Sequence, residues 1–213
     1  MNKITLIGID TAKSVFHMVG IDRHGKYVWR KKVTRRKLVS TLAQLEPCKV
    51  VLEACGASHH WARQINAGGH DARLIAPQHV KPYRRGQKND YRDAEAIISA
   101  SLSPGIHFVG IKTTGQQAEQ ALHRVRSRLL SHCNAAANEL RGLLGEYGCT
   151  FALGHKALRA GALAFIDSGQ AEALGLVELI TDVLEEMKYL EQRLQHYERQ
   201  IEQRVKVDAV STR

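Results

Sequence analysis

The chain has 213 residues, 44% of them hydrophobic and 24% charged, which is enough for one good core plus a second small unit and excludes wholesale disorder. No stretch approaches the ~18–20 uninterrupted apolar residues of a membrane span, and Asp10 and Lys13 arrive too early for a signal peptide. No membrane-spanning helix is expected, and the expected location is cytoplasmic.

In chain order, "KITLIGID" (3–10) is rich in β-formers and ends on an acid. "SVFHMVGID" (14–22) and "KYVWRKKVT" (26–34) flank the polar, glycine-containing "DRHG", which suits a hairpin turn, so three antiparallel strands are expected. Residues 35–46 place Leu38, Leu42 and Leu45 on one helical face before Pro47. "CKVVLEAC" (48–55) reads as a strand buried on both faces. The helix "SHHWARQINAGG" should be capped by Ser58 and stopped by Gly68–Gly69, with His59 and His60 as a surface pair. "DARLIAP" (71–77) is a fifth strand, and a further helix begins near Asp90. The order βββ-α-β-α-β predicts a mixed five-stranded sheet with flanking helices in the ribonuclease H-like arrangement. Cys48, Cys55, Cys133 and Cys149 show no metal-ligand spacing and are read as reduced, mostly buried thiols.

The second half changes period. Leu176, Ile180, Val183, Met187, Leu190, Leu194, Tyr197 and Ile201 recur at spacings of four and three, a heptad seam. A looser seam runs through Ala118, Leu122, Val125, Leu129, Ala136, Leu140, Leu143 and Tyr147. Two long helices joined through a Gly-rich region predict an antiparallel hairpin or a coiled coil with a second copy. The expected division is a first domain at 1–111 and a helical coiled-coil domain at 112–213.

Charge follows the same division. Residues 1–111 hold 18 Lys and Arg against 8 Asp and Glu, whereas residues 112–213 hold 13 of each. From Arg23 to Lys37 there are eight cations and no acid. Arg30, Lys31, Lys32, Arg35 and Arg36 in that run, with Lys81, Arg84, Arg85 and Lys88, are the expected phosphate contacts of a nucleic acid. A merely solvated basic face is the bland alternative.

Against this positive ground four carboxylates stand out. Asp10 closes the first strand, Glu53 lies near the end of the fourth, and Asp90 and Asp93 sit one helical turn apart. In a ribonuclease H-like sheet the first and fourth strands are neighbours, so a later helix can bring its acids against their ends. Four converging carboxylates repel each other unless divalent metal joins them, and Mg²⁺ (or Mn²⁺ in its place) prefers such hard oxygen ligands. Each acid also has a plainer reading. Asp90 can cap a helix, Asp93 can favour its positive end, and Asp10 can be a turn residue. A buried, unpaired glutamate in "VVLEAC" is harder to dismiss.

The stretches "GIDTAKSVFHMVGID", "LEACGASHHWAR", "ARLIAPQHVKPY" and "KNDYRDAEAI" resemble the DEDD transposases of bacterial insertion sequences, relatives of the pilin-gene inverting recombinase and bridge-RNA-guided recombinases. The resemblance is strongest over residues 4–147. It implies a RuvC-like, Holliday-junction-resolvase-like first domain with a Mg²⁺-binding catalytic tetrad at Asp10, Glu53, Asp90 and Asp93. It also implies DNA and an element-encoded noncoding RNA as partners, nucleoid association, a dimer or tetramer through the coiled coil, and a serine nucleophile in a C-terminal domain. Because the chain stops at Arg213, and Ser211 in "VDAVSTR" does not match that nucleophile's context, the serine domain is expected to be absent from this sequence.

Three rivals stand beside this reading. One is a free-standing RuvC-like junction nuclease whose acids activate water, and another is a non-catalytic nucleic-acid-binding dimerisation module. An actin-like ATPase, suggested by "GIDTAK", fails for want of a second glycine-rich phosphate loop.

Overall fold

A computed structural model describes residues 3–84 and 90–211, and for Asp90 and residues 207–211 the backbone only. The chain divides into two compact units, Met1–Thr113 and Thr114–Arg213.

The first unit opens with a meander of β1 (Leu6–Thr11), β2 (Val15–Ile21) and β3 (Tyr27–Thr34), paired antiparallel. Its second turn is held by the Asp22 carboxylate, which accepts the backbone N–H groups of His24 and Lys26 at 2.9 and 3.0 Å. Gly25 supplies the positive φ of 77° that this turn requires. The helix expected over 35–46 is shorter: a 3₁₀ turn Arg35–Lys37 leads into α1 (Leu38–Leu42). Bonds from Gln44 N–H to the Thr41 carbonyl and from Leu45 N–H to the Leu42 carbonyl tighten the chain and end the helix early. Leu38 and Leu42 are nevertheless fully buried.

Then follow β4 (Lys49–Glu53), α2 (Ser58–Ala67), β5 (Asp71–Ile75), α3 (Pro77–Val80), a 3₁₀ turn Lys81–Tyr83, α4 (Asp90–Ser101) and β6 (Phe108–Val109). Ser58 is not the expected cap. Ala57, at φ 69°, turns the chain so that the Ser58 hydroxyl faces back and bonds the N–H and carbonyl of Cys55 at 3.1 and 2.9 Å. Gly68 and Gly69 do end α2, the second with φ 87°.

The sheet order is β3-β2-β1-β4-β5-β6, with β1, β4 and β5 parallel. The mixed sheet and its helices are consistent with the ribonuclease H-like arrangement. The sixth strand corrects the expected five: its two residues pair antiparallel with Leu74 and Ile75, too short a run to carry a sequence signal. Alternation along the strands divides the core in two. Ile7, Ile9, Val50, Leu52 and Leu74 pack with Leu38, Leu42 and Ile65 on one face, under α1 and α2. Leu6, Val19, Val51 and Ile75 pack with Val80, Ala94, Ile97 and Ile98 on the other, under α3 and α4.

The second unit contains α5 (Thr114–Gly145), α6 (His155–Asp167), α7 (Gln170–Ala173) and α8 (Val177–Ser211). Here α5 and α8 form the expected antiparallel hairpin within one chain. Leu129 and Cys133 pack on Leu190, while ion pairs join Arg126 to Glu198 and Glu119 to Arg204, both at 2.6 Å. The α8 seam therefore faces inward, with Ile180, Met187 and Leu190 buried. On α5 the expected seam shifts: Ala118 is exposed and Tyr147 lies exposed in the turn after the helix, while Cys133 and Leu144 are buried.

Candidate metal and nucleic-acid site

The two acids at the carboxyl ends of β1 and β4 fall on one face of the sheet. Asp10 shares the parity of Leu6 and Gly8, and Glu53 that of Val51, so both belong to the face covered by α4. Because Ile9 stands beside Leu52 in the parallel ladder, the next residues, Asp10 and Glu53, are neighbours across it. The antiparallel register continues the row outward, from Asp10 to His17 and from His17 to Lys32. A line Lys32–His17–Asp10–Glu53 thus crosses the sheet beneath α4.

The close seat of α4 depends on Gly8. A Cβ there would collide with the carbonyl oxygen of Ala94 and lie 2.6 Å from Ile98 Cγ1. The residue preceding Ala94 is Asp93, so this contact sets how near the helix acids come to the strand acids. His17, 6% exposed, meets the ring of Tyr91 edge-on with centroids 5.0 Å apart. From β3, Arg30 reaches Glu95 on α4 at 2.5 Å.

Arg84 joins two of the expected ligands. Its Nη2 donates to Glu53 Oε2 at 2.5 Å, and its Nε lies 3.2 Å from Asp93 Oδ1. Glu53 and Asp93 are therefore brought together, through a cation, and Asp10 lies next to Glu53 by register. Asp90 opens α4, and its side chain lies outside the described residues. Among the described residues no three His, Cys, Asp or Glu side chains already form a metal cage. The donor set still suits a hard divalent ion, since it consists of carboxylate oxygens and Glu53 and Asp93 already share one positive charge.

The expected phosphate contacts separate into groups. Lys31, Lys32 and Arg36 are exposed and, among the described residues, enter no ion pair; Lys81 is exposed as well. Arg30 and Arg84 are engaged with Glu95, Glu53 and Asp93. Arg35 lies on the opposite face, its guanidinium 5.7 and 5.1 Å from the Phe16 and Trp61 ring centroids, where it contributes packing. Arg85 and Lys88 lie outside the described residues.

Sequence reasoning missed His17, Gly8 and the bridging role of Arg84. A polar residue within the apolar strand "VFHMV" was a usable signal for the first. The pair His59–His60 is also not simply a surface pair: His59 Nδ1 accepts the Lys112 N–H at 3.1 Å, and Arg63 donates to the Lys112 carbonyl at 2.5 Å. Partial burial, then the charges of Lys112 and Arg63, hold His59 below the usual imidazole range. All four cysteines are free, and burial pushes the Cys48 thiol up to about 11. No helix among the described residues is long and apolar enough to cross a membrane.

Comparison with known proteins adds a lineage to this geometry. The family model DEDD_Tnp_IS110, described as a transposase, matches residues 7–149. The chain is 42% identical over 211 residues to a "Probable family 20 transposase" of Pseudomonas aeruginosa, covering 97% of this chain and 62% of that protein. It is 47% identical over 156 residues to the transposase for insertion sequence element IS1111A of Coxiella burnetii, covering 73% and 43% respectively. To the transposase for insertion sequence element IS1328 of Yersinia enterocolitica it is 36% identical over 213 residues, covering 100% and 63%. The chain thus spans less than two thirds of the length of the curated relatives it matches.

Proposed function

The chain belongs to the DEDD transposase family of IS110-type insertion sequences, and from that premise we propose that it is the part of a DNA transposase that binds nucleic acid and carries its metal-dependent acids. Asp10, Glu53, Asp90 and Asp93 are the proposed ligands of Mg²⁺, with Mn²⁺ as a substitute. The observation that carries this reading is positional. Asp10 and Glu53 end adjacent parallel strands on the face that α4 covers, and Asp93 of α4 meets Glu53 through Arg84. When bound, the metal would supply charge neutralisation and orientation at a scissile phosphodiester. The chain's own residues present the carboxylates, and Gly8 lets α4 sit close enough for them to share a site. Exposed Lys31, Lys32, Arg36 and Lys81 would hold backbones.

The proposal extends to strand cleavage and exchange with a serine nucleophile from a further domain, and to guidance by an element-encoded noncoding RNA. In such a scheme base pairing reads sequence while the protein grips backbones. It also includes assembly as a dimer or tetramer through the helical unit, on faces other than the α5–α8 seam, where Leu179 and Tyr189 stand exposed.

The test is calorimetric titration of the chain with Mn²⁺. Asp10→Asn and Asp93→Asn should each weaken binding at least tenfold while leaving circular dichroism unchanged. Wild-type affinity in both variants would refute the tetrad. Without nucleic acid the wild-type binding itself should be weak, because hard divalent ions keep their waters until substrate phosphate completes the shell.

A further inference from the structure

Among the acids of the candidate site stands a cation that belongs to the chain. Arg84 follows the turn Lys81–Tyr83, which is tied to the end of α4 by contact between the Tyr83 hydroxyl and Ser103 Oγ. From there its guanidinium spans Glu53 of β4 and Asp93 of α4, at 2.5 and 3.2 Å. The two carboxylates are only 14% and 21% exposed, whereas the Arg84 side chain is 43% exposed. The acids are thus held by the scaffold, and the arginine reaches them from the solvent side.

A guanidinium is a rigid fork of donors and can satisfy two carboxylates from different elements at once. A divalent ion needs the same oxygen lone pairs. Both cannot occupy Glu53 and Asp93 together.

We propose that Arg84 is an internal competitor for the divalent cation: it bridges Glu53 and Asp93 until the metal arrives, then swings out and becomes a phosphate contact. The proposal rests on the reading of Glu53 and Asp93 as metal ligands. It explains two features of the site at once. Two acids that would repel each other without metal share one positive charge supplied by the chain, which relieves part of that repulsion in the metal-free fold. The cation displaced by the metal is also released beside the place where the nucleic-acid phosphate must lie, so the metal's charge and the arginine's act on the phosphate together. A purely structural Arg84, pinning the turn to α4, would instead stay in place when metal binds.

The test compares the wild-type chain with Arg84→Gln, Arg84→Lys and Asp93→Asn by Mn²⁺ calorimetry and by thermal melts with and without Mn²⁺. Arg84→Gln should tighten Mn²⁺ binding by about fivefold to tenfold, the scale of a partly exposed double ion pair. Arg84→Lys should also tighten it, by roughly threefold, because an ammonium keeps the charge but has no planar fork to span both acids. Metal-free Arg84→Gln should melt below wild type, and saturating Mn²⁺ should close the gap. If Arg84→Lys binds Mn²⁺ like wild type, the effect is charge repulsion at a distance and competition is refuted. Competition is equally refuted if both Arg84 variants bind no tighter than wild type while Asp93→Asn loses the metal, and the ligand reading then stands. If Asp93→Asn binds like wild type, or no variant binds Mn²⁺ at millimolar concentration, the ligand reading itself fails and the proposal with it.

Discussion

Gly8 has no side chain, and the absence is filled by the backbone of α4 at Ala94 and by Ile98. Neither neighbour can yield cheaply, since one is a main-chain carbonyl and the other is buried among Val51, Ile75 and Val80. Gly8→Ala should therefore cost about 1–3 kcal/mol, the usual range for overpacking a tight core. If the helix shifts to make room, Asp93 moves with it, and Mn²⁺ affinity should fall further than the loss of folded protein explains. Urea denaturation and Mn²⁺ calorimetry on the same sample separate the two effects. Gly20→Ala is the control: its Cβ would lie 3.1 Å from Ile4, a side chain that can adjust, and away from α4, so metal affinity should not change. His70 shows the same economy in polar form. Its Nδ1 accepts the Cys48 N–H at 3.3 Å, leaving Nε2 to donate to the Leu42 carbonyl at 3.1 Å, so one buried ring ties β4 to the end of α1.

At the scale of elements, α2 is held to the end of the first unit by His59 and Arg63, both bonded to Lys112. His59 is kept below its ordinary 6.5 by partial burial and by the neighbouring cations. Its folded value is the lower one, so the unfolded chain binds the proton first as pH falls, and stability is lost progressively below about pH 6.5. His59→Gln should flatten that part of the stability–pH curve, measured by urea midpoints between pH 7 and 5. The α5–α8 hairpin permits a second test. Leu190 is 7% exposed against Leu129 and Cys133 of its own chain, so Leu190→Asp buries an unpaired carboxylate. The variant should lose about 3 kcal/mol or more and show reduced helicity at 222 nm. A folded Leu190→Asp with wild-type melting would mean that α5 does not cover α8 in solution.

Over the whole molecule, charge is segregated: the first 111 residues carry the entire excess of +10. Several of those cations are committed inside the fold, Arg30 to Glu95, Arg84 to the acids and Arg35 to aromatic rings. Nucleic-acid affinity should nonetheless be steeply salt-dependent. With roughly six phosphate contacts on duplex DNA, log K should fall against log salt with a slope of about −5. Replacing Lys31, Lys32 and Arg36 together with Gln should reduce that slope by about 3, while Arg35→Gln should act mainly on stability. Fluorescence anisotropy across a salt series distinguishes these outcomes, and an unchanged slope in the triple variant would move the interface elsewhere.

The strands, their terminal acids and the α8 seam were legible because they depend on local composition and periodicity. Asp10 and Glu53 could be read as acids at the ends of apolar strands, and spacings of four and three mark the buried side of α8 whatever covers it, whereas the face that each acid takes is seen only in the folded sheet. What covers it is not local information. A heptad seam is equally satisfied by a second helix of the same chain or by another copy, and only the packing of α5 decides between them. The same holds for the contacts of Arg84 with Glu53 and of Arg30 with Glu95, which span 31 and 65 residues of chain. Their basic neighbourhoods read as solvent-facing charge, and only the folded sheet brings Glu53 and Glu95 within reach. Periodicity reports which side of an element is buried, whereas the choice of partner is made where distant elements meet.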